Sequence, residues 1–399
     1  MKLNITNALK KILSITTYTF FGTVLGAIIL YIYLMQSRPD LYPWHTISLQ
    51  EEYTNKKSPK VKSFSEYLAQ EEKLFDELQE KIYSNWMDKR DHQLIRYDPT
   101  SMANPFLYEI NWNRSFELSQ EKPAGGVLLL HGLSDSPYSL RALANTLHQQ
   151  GNYVLGLRMP GHGTIPSGLV DSSWQDMAAA VKIAARHLSD KISSKPLHII
   201  GYSMGAAQAV NYSLDALQDE SLPVAESLVL ISPAIGVSAV AAFAVWQSRL
   251  SAIPGLEKLA WNSIGPEYDP YKYTSFAVNA GDLMYRLTLA IGDKLAQLQK
   301  QNRTAEFPKV QALISAVDAT VTVSAVVDHL LDKLGNNGNE LVVFDINRNK
   351  NIIPFVNNDP KDGLKSIFSR QDMNFRLSLL TNVSDDSFTV FEASKERDN

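Results

Sequence analysis

The chain has no cysteine in its 399 residues. Disulfides, thiolate chemistry, cysteine-ligated metal and lipid attachment through cysteine are therefore excluded, while the redox state of the compartment stays open. An excess of basic residues is also missing. There are 38 Lys and Arg against 42 Asp and Glu, giving a net charge of -4 with both signs dispersed, which is no electrostatic footprint for nucleic acid. Two local absences carry more weight. No charged residue occurs from Ile12 to Met35, and no histidine follows His329.

The uncharged stretch ILSITTYTFFGTVLGAIILYIYLM is 24 residues long. As a helix it would span about 36 Å, enough to cross a hydrocarbon core of about 30 Å. A secretory signal peptide is the rival reading. Its apolar part normally runs only about 7 to 15 residues before a small-x-small cleavage site, and here Tyr31, Tyr33, Leu34 and Met35 stand where that site should be. Lys2, Lys10 and Lys11 precede the stretch, whereas only Arg38 follows closely. The positive-inside rule then places residues 1–11 in the cytoplasm, a transmembrane helix at 12–35, and the rest of the chain on the outer side.

Residues 36–95 read as a tether followed by an amphipathic helix. Ser63 and Glu66 form a capping box, and Phe64, Leu68, Phe75, Leu78 and Ile82 form one apolar stripe. The other face carries Glu66, Glu71, Glu72, Asp76, Glu77 and Glu80, which anionic lipid would repel, so this helix is expected to pack on the globular domain.

From about Arg96 the pattern alternates. A strand pair is expected around Asn111 to Asn113 within Phe106 to Leu118. Strands follow at Gly126 to Leu130, Tyr153 to Leu157, His198 to Ile200, Ser227 to Ile231, Val310 to Val317 and Glu340 to Phe344. Helices at Pro137 to Gln149, Trp174 to Leu188 and after Gly205 separate several of them. Such alternation predicts an α/β domain over 96–399: a mostly parallel sheet with helices on both faces and its functional loops at the carboxyl ends of the strands. Residues 234–286 interrupt the pattern with an apolar, then aromatic insert that reads as a cap. Within 345–399, Phe375 to Leu380 and Ser387 to Phe391 read as an added strand pair.

The stretch LHIIGYSMG, Leu197 to Gly205, holds the most specific local signal. A short apolar strand enters Gly201-Tyr202-Ser203-Met204-Gly205 and an alanine-rich helix leaves it. This is the setting in which a G-x-S-x-G turn lifts a serine hydroxyl above a sheet and directs a helix N-terminus at charge developing there. Ser203 is accordingly the candidate nucleophile.

Together HGLSDSPYSLR (His131 to Arg141), RMPGHGT (Arg158 to Thr164), GYSMG and ISAVD (Ile314 to Asp318) resemble the α/β-hydrolase fold, and within it the bacterial lysophospholipase or monoacylglycerol-lipase-like serine hydrolases. The resemblance covers about Arg96 to Phe344. It implies an oxyanion hole from the backbone amides of Leu133 and Met204, Asp318 as the triad acid, and no metal or organic cofactor. His131 and His162 are implied to shape their loops. His148 and His187 fall within expected helices and read as surface or core fillers, and His198 lies in the strand before the serine, where it reads as a buried neutral imidazole. The family places its histidine base after the last strand, where this chain reads FDINRNKNIIPF. Asn347, Asn349 and Asn351 cannot serve as that base, and His329 lies in an upstream helix. Two accounts remain open: the base lies on a C-terminal segment beyond Asn399, or the scaffold is kept for binding without turnover. The reading that follows is a serine hydrolase of a bacterial inner membrane, single-pass, with its domain facing the periplasm or exterior. It would cleave carboxylic esters of acyl-glycerol or lysophospholipid type through a Ser203 acyl-enzyme. The alternative is an inactive relative that binds lipid or a partner in the envelope; oligomeric state stays open.

Overall fold

The computed structural model describes residues 2–56, 58, 60–84, 94–236, 250–318, 320–346, 361–384 and 386–396. In chain order the helices are α1 (Lys2–Gln36), α2 (Pro43–Thr46), α3 (Phe64–Leu78), α4 (Arg141–Gln149), α5 (Gly168–Asp171), α6 (Trp174–Ile192), α7 (Met204–Ala216), α8 (Val278–Lys300), α9 (Val323–His329) and α10 (Lys361–Phe368). The strands are β1 (Phe116–Leu118), β2 (Gly126–Leu130), β3 (Tyr153–Leu157), β4 (Leu197–Tyr202), β5 (Ser227–Ile231), β6 (Trp261–Ser263), β7 (Phe276–Ala277), β8 (Lys309–Ser315), β9 (Glu340–Asp345), β10 (Arg376–Asn382) and β11 (Val390–Lys395).

Nine strands form one sheet in the order β1-β3-β2-β4-β5-β8-β9-β10-β11, parallel throughout except for β1 and β11 at its two edges. β2 and β3 are buried along their whole length, which explains why GVLLL and YVLGL are continuous apolar runs and not alternating ones. Successive side chains still point to opposite faces. Leu128, Leu130 and Ile199 join the large core beneath α6, α7 and α8, whereas Val127, Leu129 and Ile200 pack with Leu140 and Ala144 of the α4 side. Each fully buried Leu or Ile contributes roughly 1.5–3 kcal/mol. The register sets Leu130 opposite Gly201, Tyr202 opposite Ile231, and Ile231 opposite Leu313. The carboxyl ends of four adjacent strands are thereby level.

Three expectations need correction. The region from Phe106 to Leu118 holds no strand pair. It has a 3-10 turn at Pro105–Leu107 and the single short strand β1, which pairs with β3. The stretch after α1 is not a free tether, because Trp44, His45 and Tyr53 are buried. Trp44 forms a satellite core with Phe75, Leu78, Ile82, Tyr83, Tyr97 and Ile165. Composition hid this, since a few aromatics among polar residues suffice to dock a segment onto an existing surface. Finally, Glu71 does not belong to the solvated acidic face of α3. The capping box forms as expected, with Glu66 N–H donating to Ser63 Oγ and Ser63 N–H to the Glu66 carboxylate. Glu71 instead turns inward.

There it meets Arg158, which is almost wholly buried at the end of β3. Arg158 Nε donates to Glu71 Oε2 at 3.0 Å, and its Nη atoms donate to both Glu52 oxygens at 3.1 and 3.0 Å. Glu71 also accepts from Ser115 N–H and Oγ, each at 2.8 Å. One cation thus bridges two separate parts of the N-terminal segment to the sheet. Removing one member of such a buried group leaves an uncompensated charge, at a cost of about 3–5 kcal/mol. Arg158→Met should therefore lower stability by about that much in denaturant unfolding, and Glu71→Gln by less, because Ser115 still has an acceptor there.

Candidate active site

β4 ends at Tyr202, α7 begins at Met204, and Ser203 alone makes the turn with φ 53° and ψ -111°. For a non-glycine residue this conformation costs roughly 1–3 kcal/mol and persists only where its surroundings enforce it. Here they do. Ser203 N–H donates to Ile231 O at 2.8 Å, and Ser203 O accepts from Ala206 N–H and Ala234 N–H, each at 3.1 Å. The flanking glycines serve close approach. A Cβ on Gly201 would run into the backbone of Ala206, and one on Gly205 into the Leu130 carbonyl. Met204 is fully buried, while Tyr202 and Ser203 are half-buried.

The loop after β2 comes against this turn. A Cβ on Gly132 would lie 2.9 Å from Tyr202 Cδ1 and 3.5 Å from Ser203 Cβ, so the backbone leading into Leu133 borders the serine, as does Met204 at the start of α7. His131 has no solvent exposure; its Nδ1–H donates to Gly132 O at 2.9 Å and its Nε2 accepts from Met159 N–H at 3.0 Å. Burial first, and the neighbouring His162 second, push its pKa well below the usual imidazole value. Burial likewise takes His162 down to about 4. The two rings stand edge to face at 4.9 Å. Neutral, buried and committed to backbone, they join the loops after β2 and β3.

Sequence reasoning missed Tyr273, which does comparable work from the far side of the insert. Its N–H donates to Ser134 O at 2.8 Å, while its hydroxyl accepts from Thr164 N–H at 2.8 Å and donates to Gly161 O at 3.3 Å. The aromatic run PEYDPYKYTSF was the available signal, but nothing in it distinguished Tyr273 from its neighbours. Residues 237–249, in the apolar part of the insert, lie outside the described residues. A cavity of about 730 Å³ does exist, between Glu52, Tyr53 and Lys56 on one side and Thr164, Asp171 and Asp176 on the other. Ser203, Leu133 and Met204 do not line it.

Asp318 sits in the turn after β8, which ends at Ser315 and not at Val317. Its Oδ1 accepts from Thr320 and Val321 N–H, each at 2.9 Å. Among the described residues no hydrogen bond joins it to Ser203. Since β5 lies between β4 and β8, the strands that these two residues follow lie roughly 10 Å apart. Most histidines are already engaged. His45 contacts Tyr42 N–H and Ser275, His148 contacts Ser119 O, His187 lies 2.6 Å from Glu117, and His198 lies 2.8 Å from Ser227 Oγ. Among the described residues His329 alone has no polar partner; it is exposed, with its ring edge against Gly236.

This sheet order, with a strained serine between a central strand and the following helix and a His-Gly loop beside it, is that of an α/β-hydrolase. The chain belongs to the serine aminopeptidase S33 family (Hydrolase_4), whose profile matches residues 121–346. A thermostable monoacylglycerol lipase of Bacillus sp. (strain H-257) is 30% identical over 117 residues, which is 29% of this chain and 44% of the lipase. The chain therefore aligns with less than half the length of that relative. Similar solved structures include the metagenome-derived lipolytic enzymes LipS and LipT, at 19% identity over 65% of this chain and 99% of theirs, with a TM-score of 0.45. Another is a monoacylglycerol lipase of Paleococcus ferrophilus, at 19% identity over 55% of this chain and 83% of its own, with a TM-score of 0.41.

The buried imidazoles give the fold an acid-sensitive term. Burial pushes His45 down to about 4, as it does His162. The unfolded chain binds these protons near the usual pKa of about 6.5, so stability is full above that pH and falls as pH drops from about 6.5 toward 4. Each site accounts for roughly 3 kcal/mol over that window. Melting temperature followed from pH 7.5 to 4.5 should fall, and His45→Gln, which keeps an amide for Ser275 and an acceptor for Tyr42, should flatten that fall.

Proposed function

We propose that the protein is a membrane-anchored serine hydrolase acting on carboxylic esters of acyl-glycerol or lysophospholipid type. The observation that carries the reading is the conformation of Ser203: a turn held at positive φ by backbone hydrogen bonds, at the N-terminus of a 13-residue helix and beside the Gly132 backbone. In this reading Ser203 Oγ attacks the ester carbonyl. The oxygen that gains charge is received by the amides of Leu133 and Met204, aided by the helix dipole. Collapse expels the alcohol and leaves an acyl-enzyme, which water resolves. Asp318 orients and charge-balances the base. Anchoring rests on Lys10–Gln36, 27 residues of helix that are long and apolar enough to cross a bilayer, with no part of the most apolar window buried within the molecule. The lysine bias before it supports an outward-facing domain.

A specific observation favours a second reading, in which the scaffold binds lipid or a partner without turnover: the sequence after β9 contains no histidine. One set of assays separates the two. In the first reading a fluorophosphonate probe labels the protein, Ser203→Ala abolishes labelling and ester turnover, and Asp318→Asn lowers turnover on the order of a hundredfold or more. Labelling that also vanishes in His329→Ala assigns the base to α9. Labelling that survives that change, or appears only in a form extended beyond Asn399, assigns the base elsewhere. No labelling of either form, together with saturable lipid binding, establishes the second reading.

A further inference from the structure

The end of α1 does not lead into a free linker. Lys258 Nζ donates to Gln36 O at 3.1 Å and to Arg38 O at 2.8 Å, and lies 3.1 Å from the Asp40 carboxylate. Arg38 Nη1 donates to Trp261 O at 2.6 Å, and the Gln36 side chain contacts Gly255 O. The lysine ammonium thus caps the last carbonyl of the apolar helix and that of Arg38 just beyond it, where a cation is favoured by the helix dipole as well as by hydrogen bonding. Its side chain is only 14% exposed. The Gly255–Trp261 part of the cap insert is therefore fastened to the point at which α1 would leave a bilayer.

The chain just before that fastening is apolar and partly uncovered. Successive turn hydrogen bonds run from Ile253 N–H to Leu250 O, Leu256 N–H to Ile253 O, and Leu259 N–H to Leu256 O. The spiral places four apolar residues three apart. Leu259 is in the core and Leu256 half-buried, whereas Leu250 and Ile253 are 46% and 49% exposed. Two charged residues occur between Leu250 and Ala260. Lys258 is committed to α1, and Glu257 is exposed with its carboxylate accepting Gly255 N–H.

We infer that the Leu250–Leu256 turn is a second membrane contact: Leu250 and Ile253 enter the headgroup and upper acyl region of the bilayer spanned by α1, and the Lys258 clamp holds them there. The inference rests on the proposed role of α1 as the membrane span. The partner is a lipid surface and not a protein, because the patch is continuous with the end of the spanning helix, within the interfacial layer where amphipathic turns bind. The exposed Glu257 keeps the contact shallow. Anchor and cap base then form one rigid unit, fixing the orientation of the domain on the membrane as well as its attachment.

The absence of cysteine makes a site-specific test direct. Leu250→Cys, Ile253→Cys, Leu25→Cys in α1, and Val224→Cys on an exposed part of the domain are each labelled with a nitrobenzoxadiazole dye. The full chain is placed in phosphatidylcholine nanodiscs with or without lipid carrying a nitroxide near the headgroup end of its acyl chain. Dyes at 250 and 253 are expected to emit to the blue of the dye at 224 and to be quenched at least twofold more. Lys258→Met should return both toward the behaviour at 224 while leaving position 25 unchanged. Quenching at 25 with dyes at 250 and 253 that match 224 overturns the inference while sparing the anchor. Lack of quenching at 25 overturns the anchor reading and this inference with it. Quenching at 253 that persists in Lys258→Met overturns the clamp.

Discussion

The geometry of the site depends on backbone meeting backbone at distances no side chain allows. Where α7 begins, Gly205 lies against the Leu130 carbonyl at the end of β2, and Gly201 lies against Ala206 one turn further along. With a Cβ at either position the helix would have to move off the sheet, and the Ser203 turn would relax toward ordinary torsion angles. The strain of about 1–3 kcal/mol at Ser203 is small beside the packing that enforces it. Eleven of the α7 residues beyond Met204, from Gly205 through Leu214 in an unbroken run and then Ala216, are buried against β2, β4, β5, α6 and α8, and the helix can settle in only one place.

Around that fixed centre the N-terminal segment and the insert are held by buried polar groups. Arg158 gathers Glu52 and Glu71 from the N-terminal segment onto the end of β3. Tyr273 reaches from the insert to the loops after β2 and β3. Both work because an interior donor or acceptor without a partner is costly, so a segment supplying the right partner docks at a defined position. The N-terminal segment is thus part of the folded body.

The central sheet was legible in the sequence because its strands are continuous apolar runs separated by amphipathic helices; the expected ranges for β2, β3 and β5 match those observed. The serine turn was legible because only glycines tolerate such close approach. What composition concealed were contacts between distant polar positions. Glu71 looks like one of six acidic residues on a solvated helix face, and only the fold shows that its position on the helix faces Arg158, 87 positions away in the chain. Trp44 and Tyr53 lie in a stretch with no periodicity and dock one by one. Phe106 to Leu118 has the aromatic content of a strand pair, yet only Phe116–Leu118 finds an open sheet edge to join.

The same separation between scaffold and polar partners bears on the base. Parallel strands lie about 4.8 Å apart, so β4 and β8, with β5 between them, end roughly 10 Å apart. Asp318 Oδ1 accepts from Thr320 and Val321 N–H on its own turn, and among the described residues no hydrogen bond joins it to Ser203. In the proposed reaction, proton transfer from Ser203 to a base oriented by Asp318 calls for a third group with the reach and planarity of an imidazole. The sheet and the serine turn are fixed by backbone register and burial, and Asp318 by the hydrogen bonds of its own turn, so none of them depends on that group for its stability. A chain can consequently keep the whole receiving geometry while the one diffusely specified element, a side chain on a loop, changes position or is supplied from elsewhere.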